Sequence, residues 1–192
     1  MSKVILKEVK KAWHCVEDLN IKDKWEVIKI AVQSAKSYAG KYISYDNFRE
    51  ELNSYDLALP QLIDSVDLGQ MTILYAKAQA YHSRVSTIEM LAIENASNWK
   101  KVINYMESYL QDIESRLLIT DEVQKLSNQK IQAAWVRSKM ENLRTKYDEY
   151  NNELEQATTF KTLVAVKKKD IVSVLENLTR QVKVVKDEKK SY

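Results

Sequence analysis

Few side chains in this sequence could do chemistry at a catalytic or metal site. The chain has two histidines, His14 and His82, and one cysteine, Cys15. His14 and Cys15 could both bind a metal, but neighbours on a helix point about 100° apart, which is poor chelate geometry. We therefore interpret Cys15 as a partly buried thiol and His82 as a helix-surface residue. The sequence predicts neither a metal site nor a cofactor.

Carboxylates gather later in the chain, at Asp148, Glu149, Glu153 and Glu155. A ferritin-like di-iron site needs Glu-x-x-His pairs on facing helices, and the sequence contains no such pair. It also lacks the Gly-x-Ser-x-Gly, His-Glu-x-x-His and Gly-Lys-Ser/Thr motifs of hydrolases, metalloproteases and phosphate-binding loops. We interpret these acids as a solvated helix face and predict that the chain is not an enzyme.

Basic residues near the C-terminus are the remaining chemical signal. Residues 161–192 contain nine basic and four acidic residues, a net charge of +5, while the whole chain has +3. Basic side chains neutralise phosphates, and neighbouring aromatics can stack on unpaired bases. Trp99 precedes two lysines, although an aromatic there is also typical of a helix core, and a lysine run is often ordinary solvating charge. The predicted nucleic-acid contacts are Lys100, Lys101, Lys161, Lys167, Lys168, Lys169, Arg180 and Lys183.

The elements that must position these residues are helices. The chain has two glycines and one proline, and neither residue type occurs after Gly69. β-Sandwiches, barrels, Rossmann folds and phosphate-binding loops need glycine turns, so the sequence argues against them. A content of 45% hydrophobic and 30% charged residues is typical of long helices or coiled coils rather than of a disordered chain.

Three short helices are predicted in an N-terminal subdomain, residues 1–60. Apolar residues recur at spacings of three or four over 4–19 and again over 25–35. Gly40 fits the left-handed position that follows a helix, and Ser44 fits the N-cap of the next helix. Residues 54–66 contain Pro60 and form the best candidate for a domain boundary.

Downstream, apolar residues follow a seven-residue repeat from Leu74 to Ile113, interrupted only by Asn95. A repeat sustained so long drives helices to wrap around each other. About 50 helical residues at about 1.5 Å each would span about 75 Å, so this helix should run beyond a compact core. Asn95 either specifies register or partner number, or marks where the helix leaves the core.

Two further rows of apolar residues predict two more long helices. A turn is expected at residues 119–121, followed by a row over 126–157. Thr158 and Thr159 suggest a second turn before a row over 164–185, and this turn is either a hairpin or a kink in one continuous helix. We predict an all-α fold with three long antiparallel helices in a coiled-coil-like hairpin. Residues 61–192 would form this elongated bundle, ending in the basic helix and tail, with the short helices at one end.

The longest helix carries a second apolar stripe beside the first. A thin bundle would leave two stripes poorly covered within one chain, and self-association is the usual way to bury such surface. A homo-oligomer is therefore predicted. The predicted interface residues are Leu74, Tyr81, Val85, Ile88, Leu91, Trp99, Val102, Ile103 and Leu110.

The order of these features carries one resemblance. A Tyr/Ala/Lys-rich stretch, LYAKAQAYHSR, occupies 74–84, and the cap TDEV follows at 120–123. The segments YDEYNNEL at 147–154 and VLENLTR at 174–180 complete the pattern. Over residues 68–180 the chain resembles the recombination mediator proteins of tailed bacteriophages, the UvsY-type factors. The resemblance implies a ring-forming protein that binds single-stranded DNA and helps to load a recombinase.

The predicted function is that of a non-enzymatic, oligomeric, helical protein that binds single-stranded DNA and assists recombinase loading. Two alternatives stay open: a structural or assembly protein of a phage virion, and a coiled-coil adaptor that captures a helix of another protein. The single cysteine fits a reducing cytoplasm, that of the host if a phage encodes the chain. The sequence contains no run of 18 apolar residues, so no membrane span or membrane partner is expected.

Overall fold

The computed structural model describes residues 21–55 and 68–188. All regular elements within these two ranges are α-helices, which confirms the all-α prediction. The helix predicted over 4–19 and the boundary at Pro60 lie outside the described residues. The helices are α1 (Ile21–Tyr42), α2 (Tyr45–Asn53), α3 (Leu68–Leu118), α4 (Asp121–Gln124), α5 (Gln129–Lys139) and α6 (Glu141–Glu188).

The ends of the short helices follow the predicted signals only in part. Ser44 is the N-cap of α2, as predicted, with an extended backbone. Gly40 lies inside α1 rather than beyond its end, so its predicted left-handed role is wrong; neither Gly40 nor Gly69 has a positive φ. Helix α1 continues to Tyr42 because Gly40 costs it only about 1 kcal/mol relative to alanine.

The turn expected after the longest helix is present. Helix α3 ends at Leu118, and Thr120 is the N-cap of α4. The Thr120 hydroxyl donates a hydrogen bond to the carbonyl oxygen of Leu117, 2.7 Å away. A further cap follows at Asn128, whose side chain accepts a hydrogen bond from the Ile131 amide at 2.9 Å and starts α5.

A hairpin at Thr158–Thr159 is wrong, because α6 runs through both residues as one helix of 48 residues. Threonine in a helix interior costs only a few tenths of a kcal/mol, and the buried row continues from Ala157 to Val164. The second predicted long helix is instead interrupted at Met140, which separates α5 from α6. The described residues therefore contain two long helices, α3 and α6, rather than the three that were predicted.

The break between α5 and α6 coincides with a buried residue, Met140. Its side chain is fully buried, in a cluster with Val123 of α4 and Val136 of α5. Its backbone departs from helical geometry at φ −95° and ψ 1°. Packing against a neighbouring element therefore accompanies this break, a long-range contact that local helix signals do not show.

The described residues divide into two compact units. Unit A contains residues 21–42 and 94–158, and unit B contains residues 43–55, 68–93 and 159–188. Each unit takes residues from both of the predicted domains, 1–60 and 61–192, because short helices pack against the long ones.

Unit A has its core between α1 and the facing parts of α3 and α6. Ile28 and Ala35 of α1 lie in one buried cluster with Trp99 and Met106 of α3. Trp99 is also 6.3 Å from the ring of Tyr150, Tyr147 bonds Glu107, and Arg144 pairs with Glu114. Because residues later in α3 contact residues earlier in α6, the two helices run antiparallel in unit A.

Unit B has its core where α2 covers α3 and α6. Leu52 of α2 lies in one buried cluster with Val85 and Ile88 of α3 and with Phe160 and Val164 of α6. A nine-residue helix is too short to be stable on its own, so α2 depends on these tertiary contacts. No helix in the described ranges is long and apolar enough to cross a lipid bilayer.

Candidate nucleic-acid interface

The basic part of α6 lies in unit B. Residues 159–183 contain six basic and two acidic residues, a net charge of +4. The six cations are all on a helix whose buried row is Val164, Ile171 and Leu178. Six of the eight predicted nucleic-acid contacts therefore share one helix of one unit.

Three of these cations share the solvent side of α6. Lys169, Arg180 and Lys183 are exposed, and their spacings of 11 and 3 residues place them on one side of a helix with 3.6 residues per turn. Glu176, also exposed, lies on the same side. This side of α6, which we call the outer basic face, has the cationic character that phosphate contacts require.

The three remaining lysines of α6 lie closer to the core. Lys161, Lys167 and Lys168 are half-buried. Lys167 and Lys168 flank the buried row on opposite sides, because one comes three and the other four residues after Val164. The Lys168 ammonium donates a hydrogen bond to Glu89 of α3, with Nζ 2.6 Å from Oε2. Lys168 therefore forms an intramolecular ion pair.

Lys100 and Lys101 belong to unit A, where both are exposed on α3. The aromatic residues beside them do not offer open rings. Trp99 is 1% exposed, and Tyr105 is half-buried, with burial raising the pKa of its hydroxyl. Of the two interpretations of Trp99, the structure confirms the helix core.

The predicted oligomer interface is mostly covered within the chain. Val85, Ile88, Trp99, Val102 and Ile103 are at most 5% exposed. Because these five residues are buried against the chain's own helices, they do not offer surface to a second copy. The seven-residue rows are used for packing within the chain, and placing the interface on these five residues was wrong.

The other four predicted interface residues, Leu74, Tyr81, Leu91 and Leu110, are half-buried. Tyr81 stacks on Tyr55, with ring centroids 4.2 Å apart and planes 14° apart. Leu110 packs against the core of unit A. These side chains therefore retain only part of their surface for a partner.

Exposed apolar residues lie elsewhere in unit B. Met90 and Ile93 on α3 are 65% and 49% exposed, and Leu163 and Val166 on α6 are 43% and 55% exposed. Both pairs are three residues apart and point away from the buried rows. The sequence signal for this surface is the presence of apolar residues outside the seven-residue rows.

Asn95 is 1% exposed and lies on α3 between the buried residues Ala92 and Ala96. The helix therefore does not leave the core at this residue, and that alternative is wrong. The other interpretation, that Asn95 specifies register or partner number, stays a prediction.

Unit A also has an open cleft of about 880 Å³ between α3, α5 and the start of α6. Its lining carries both signs of charge. Glu107 accepts a hydrogen bond from the Tyr147 hydroxyl at 3.0 Å, and burial together with this carboxylate raises the pKa of Tyr147. Arg144 lies 4.0 Å from Glu114, also in the lining. The mixed charges distinguish this cleft from the outer basic face.

Within residues 21–55 and 68–188, no cluster of three or more histidine, cysteine or acidic side chains is arranged to hold a metal ion. His82 is half-buried on α3, whereas His14 and Cys15 are outside the described residues. No family model, no curated protein and no solved structure matches the chain.

Proposed function

We propose that this chain is a non-enzymatic helical protein that binds single-stranded DNA through the basic part of α6. The observation that supports this proposal is the outer basic face, with Lys169, Arg180 and Lys183 exposed on one side of one helix. Phosphate neutralisation by such side chains supplies most of the affinity of sequence-independent binding. Bound in this way, the chain assists the loading of a recombinase, the role that the resemblance implies.

Lys161 and Lys167 extend this surface toward the core, and Lys100 and Lys101 add charge in unit A. The preference for single strands comes from the resemblance, since Trp99 is buried and cannot stack on a base. Phosphate contacts alone do not distinguish single strands from duplexes. The experiment therefore has to measure both forms of DNA.

The test is a titration of a labelled oligonucleotide at several salt concentrations, single-stranded and duplex in parallel. The triple variant Lys169→Gln, Arg180→Gln and Lys183→Gln should lower the affinity and flatten the salt dependence. Three lost phosphate contacts reduce the slope of log K against log salt by about 2, at about 0.7 per contact with a single strand. Duplex binding as tight as single-strand binding would contradict the preference for single strands.

A matched control has the same change in charge elsewhere. Lys36, Lys125 and Lys130 are exposed in unit A, and their replacement by glutamine should leave the slope unchanged. If both triple variants weaken binding equally, net charge rather than the outer basic face is responsible. If the unaltered chain binds no oligonucleotide at low salt, the proposal is wrong.

A second candidate is a structural or assembly protein that associates with further copies. Its support is the pair Leu163 and Val166, exposed on α6 next to the outer basic face. A contiguous exposed apolar patch often marks a surface that a partner covers. Sedimentation of the unaltered chain without DNA, together with the oligonucleotide titration, separates the candidates. A stable oligomer that does not bind oligonucleotide favours the assembly protein. The coiled-coil adaptor would instead give a 1:1 complex with another protein.

A further inference from the structure

One half-buried row on α6 changes its chemistry along its length. Lys161, Lys168, Leu175 and Val182 follow each other at seven-residue spacing, and all four are half-buried. They lie beside the buried row that begins at Val164, and Leu175 packs against the core of unit B. The row therefore begins with two lysines and continues with two apolar residues at equivalent positions of the seven-residue repeat.

Stability alone does not account for these lysines. A partly exposed ion pair contributes little to folding, and an apolar side chain of similar volume often serves as well or better. Lysines in an apolar row break the local pattern, and such breaks are expected at functional sites. Of the two lysines, Lys168 meets an acidic side chain of α3, Glu89.

The two ammonium groups differ in their partners. Lys168 pairs with Glu89, and their side chains are 30% and 21% exposed. Among the described residues, Lys161 forms no ion pair. Thus one lysine of the row has its charge neutralised by the protein, whereas the other is available to an anion from solution.

We propose that Glu89 is an internal competitor for phosphate at Lys168, and that it limits how strongly α6 binds single-stranded DNA. This inference rests on the proposed function. In the folded chain the Glu89 carboxylate occupies the position that a phosphate oxygen would take on Lys168. Removing that negative charge frees a phosphate contact about 10.5 Å along the helix from Lys161, at about 1.5 Å per residue.

The test compares Glu89→Gln with the unaltered chain by oligonucleotide titration against salt. Glutamine keeps the shape and removes the charge, so Glu89→Gln should bind more tightly, with a slope steeper by about 0.7, the share of one phosphate. The double variant Glu89→Gln with Lys168→Gln should return to the original slope. Glu50→Gln is the matched control: Glu50 is exposed on α2, so the same charge change should leave the slope unchanged.

Lys168→Gln by itself gives a second measurement that does not require the Glu89 variant to fold. Because Lys168 is already neutralised, its loss should leave the slope unchanged. A slope lowered by about 0.7 in Lys168→Gln, or identical slopes in Glu89→Gln and Glu50→Gln, would overturn the role of Glu89 while leaving DNA binding intact. If neither the unaltered chain nor Glu89→Gln binds oligonucleotide, both proposals are wrong.

Discussion

Within unit B, the side chain of Phe160 on α6 packs against the short helix α2. Its removal should release α2 before the rest of the chain unfolds. Phe160 is 1% exposed. Tyr45 meets its ring edge-on, with centroids 5.1 Å apart, and Phe48 stacks on it at 6.0 Å. Both aromatic side chains of α2 therefore pack against this one ring.

The size of the effect follows from these contacts. Replacing a buried phenylalanine by alanine costs about 3–5 kcal/mol, and each aromatic pair contributes about 0.5–1.5 kcal/mol beyond its buried area. Leu52 is the only fully buried side chain within α2. In Phe160→Ala, α2 should lose most of its attachment, since a nine-residue helix has little stability of its own.

Chemical denaturation measures the total loss of stability, and amide hydrogen exchange shows where it occurs. Exchange should speed up over residues 45–53 in Phe160→Ala, while residues 21–42, in unit A, keep their protection. Leu163→Ala on the same helix is the control: Leu163 is 43% exposed, so it should cost under about 1 kcal/mol. A loss under 1 kcal/mol in Phe160→Ala, or equal loss of protection in both segments, would refute this account of α2.

Two further predictions concern the continuity of α6 and the acid sensitivity of α2. Thr159→Pro should destabilise the chain by about 3 kcal/mol or more, because proline inside a helix removes a hydrogen bond and clashes with the preceding turn. Ser127→Pro, placed just before the Asn128 cap, is the control and should cost much less stability in the same thermal denaturation. Equal losses of stability in the two variants would contradict a continuous α6. Glu51 accepts hydrogen bonds from Arg84 at 2.7 and 2.9 Å, and these bonds hold its pKa below the ordinary value of 4.5. Because the pKa of Glu51 is lower in the folded chain, this stabilisation is complete above pH 4.5 and is lost as the pH falls through the folded pKa. Glu51→Gln should therefore remove up to about 1 kcal/mol of stability at pH 7 and make stability less dependent on pH in the acid range. An unchanged dependence in that range would show that Glu51 does not contribute.

Helical content and the main surface charge could be predicted from the sequence, because both depend on local composition and spacing. The scarcity of glycine and proline excluded folds that need tight turns, and the seven-residue rows located α3 and most of α6. The turn after α3 and the position of Thr120 as the N-cap of α4 were as predicted, since both depend on residues close in the chain. The lysines and Arg180 on the C-terminal half of α6 were likewise visible as a local excess of charge.

What the tertiary structure decided was which partner covers each row. Val85, Ile88 and Trp99 have the spacing of an oligomer seam, but spacing does not say whether a neighbouring helix comes from the same chain or from another. Here the chain's own helices cover them. The break at Met140 and the Lys168–Glu89 pair also depend on residues distant in sequence, whose proximity only the packed structure establishes.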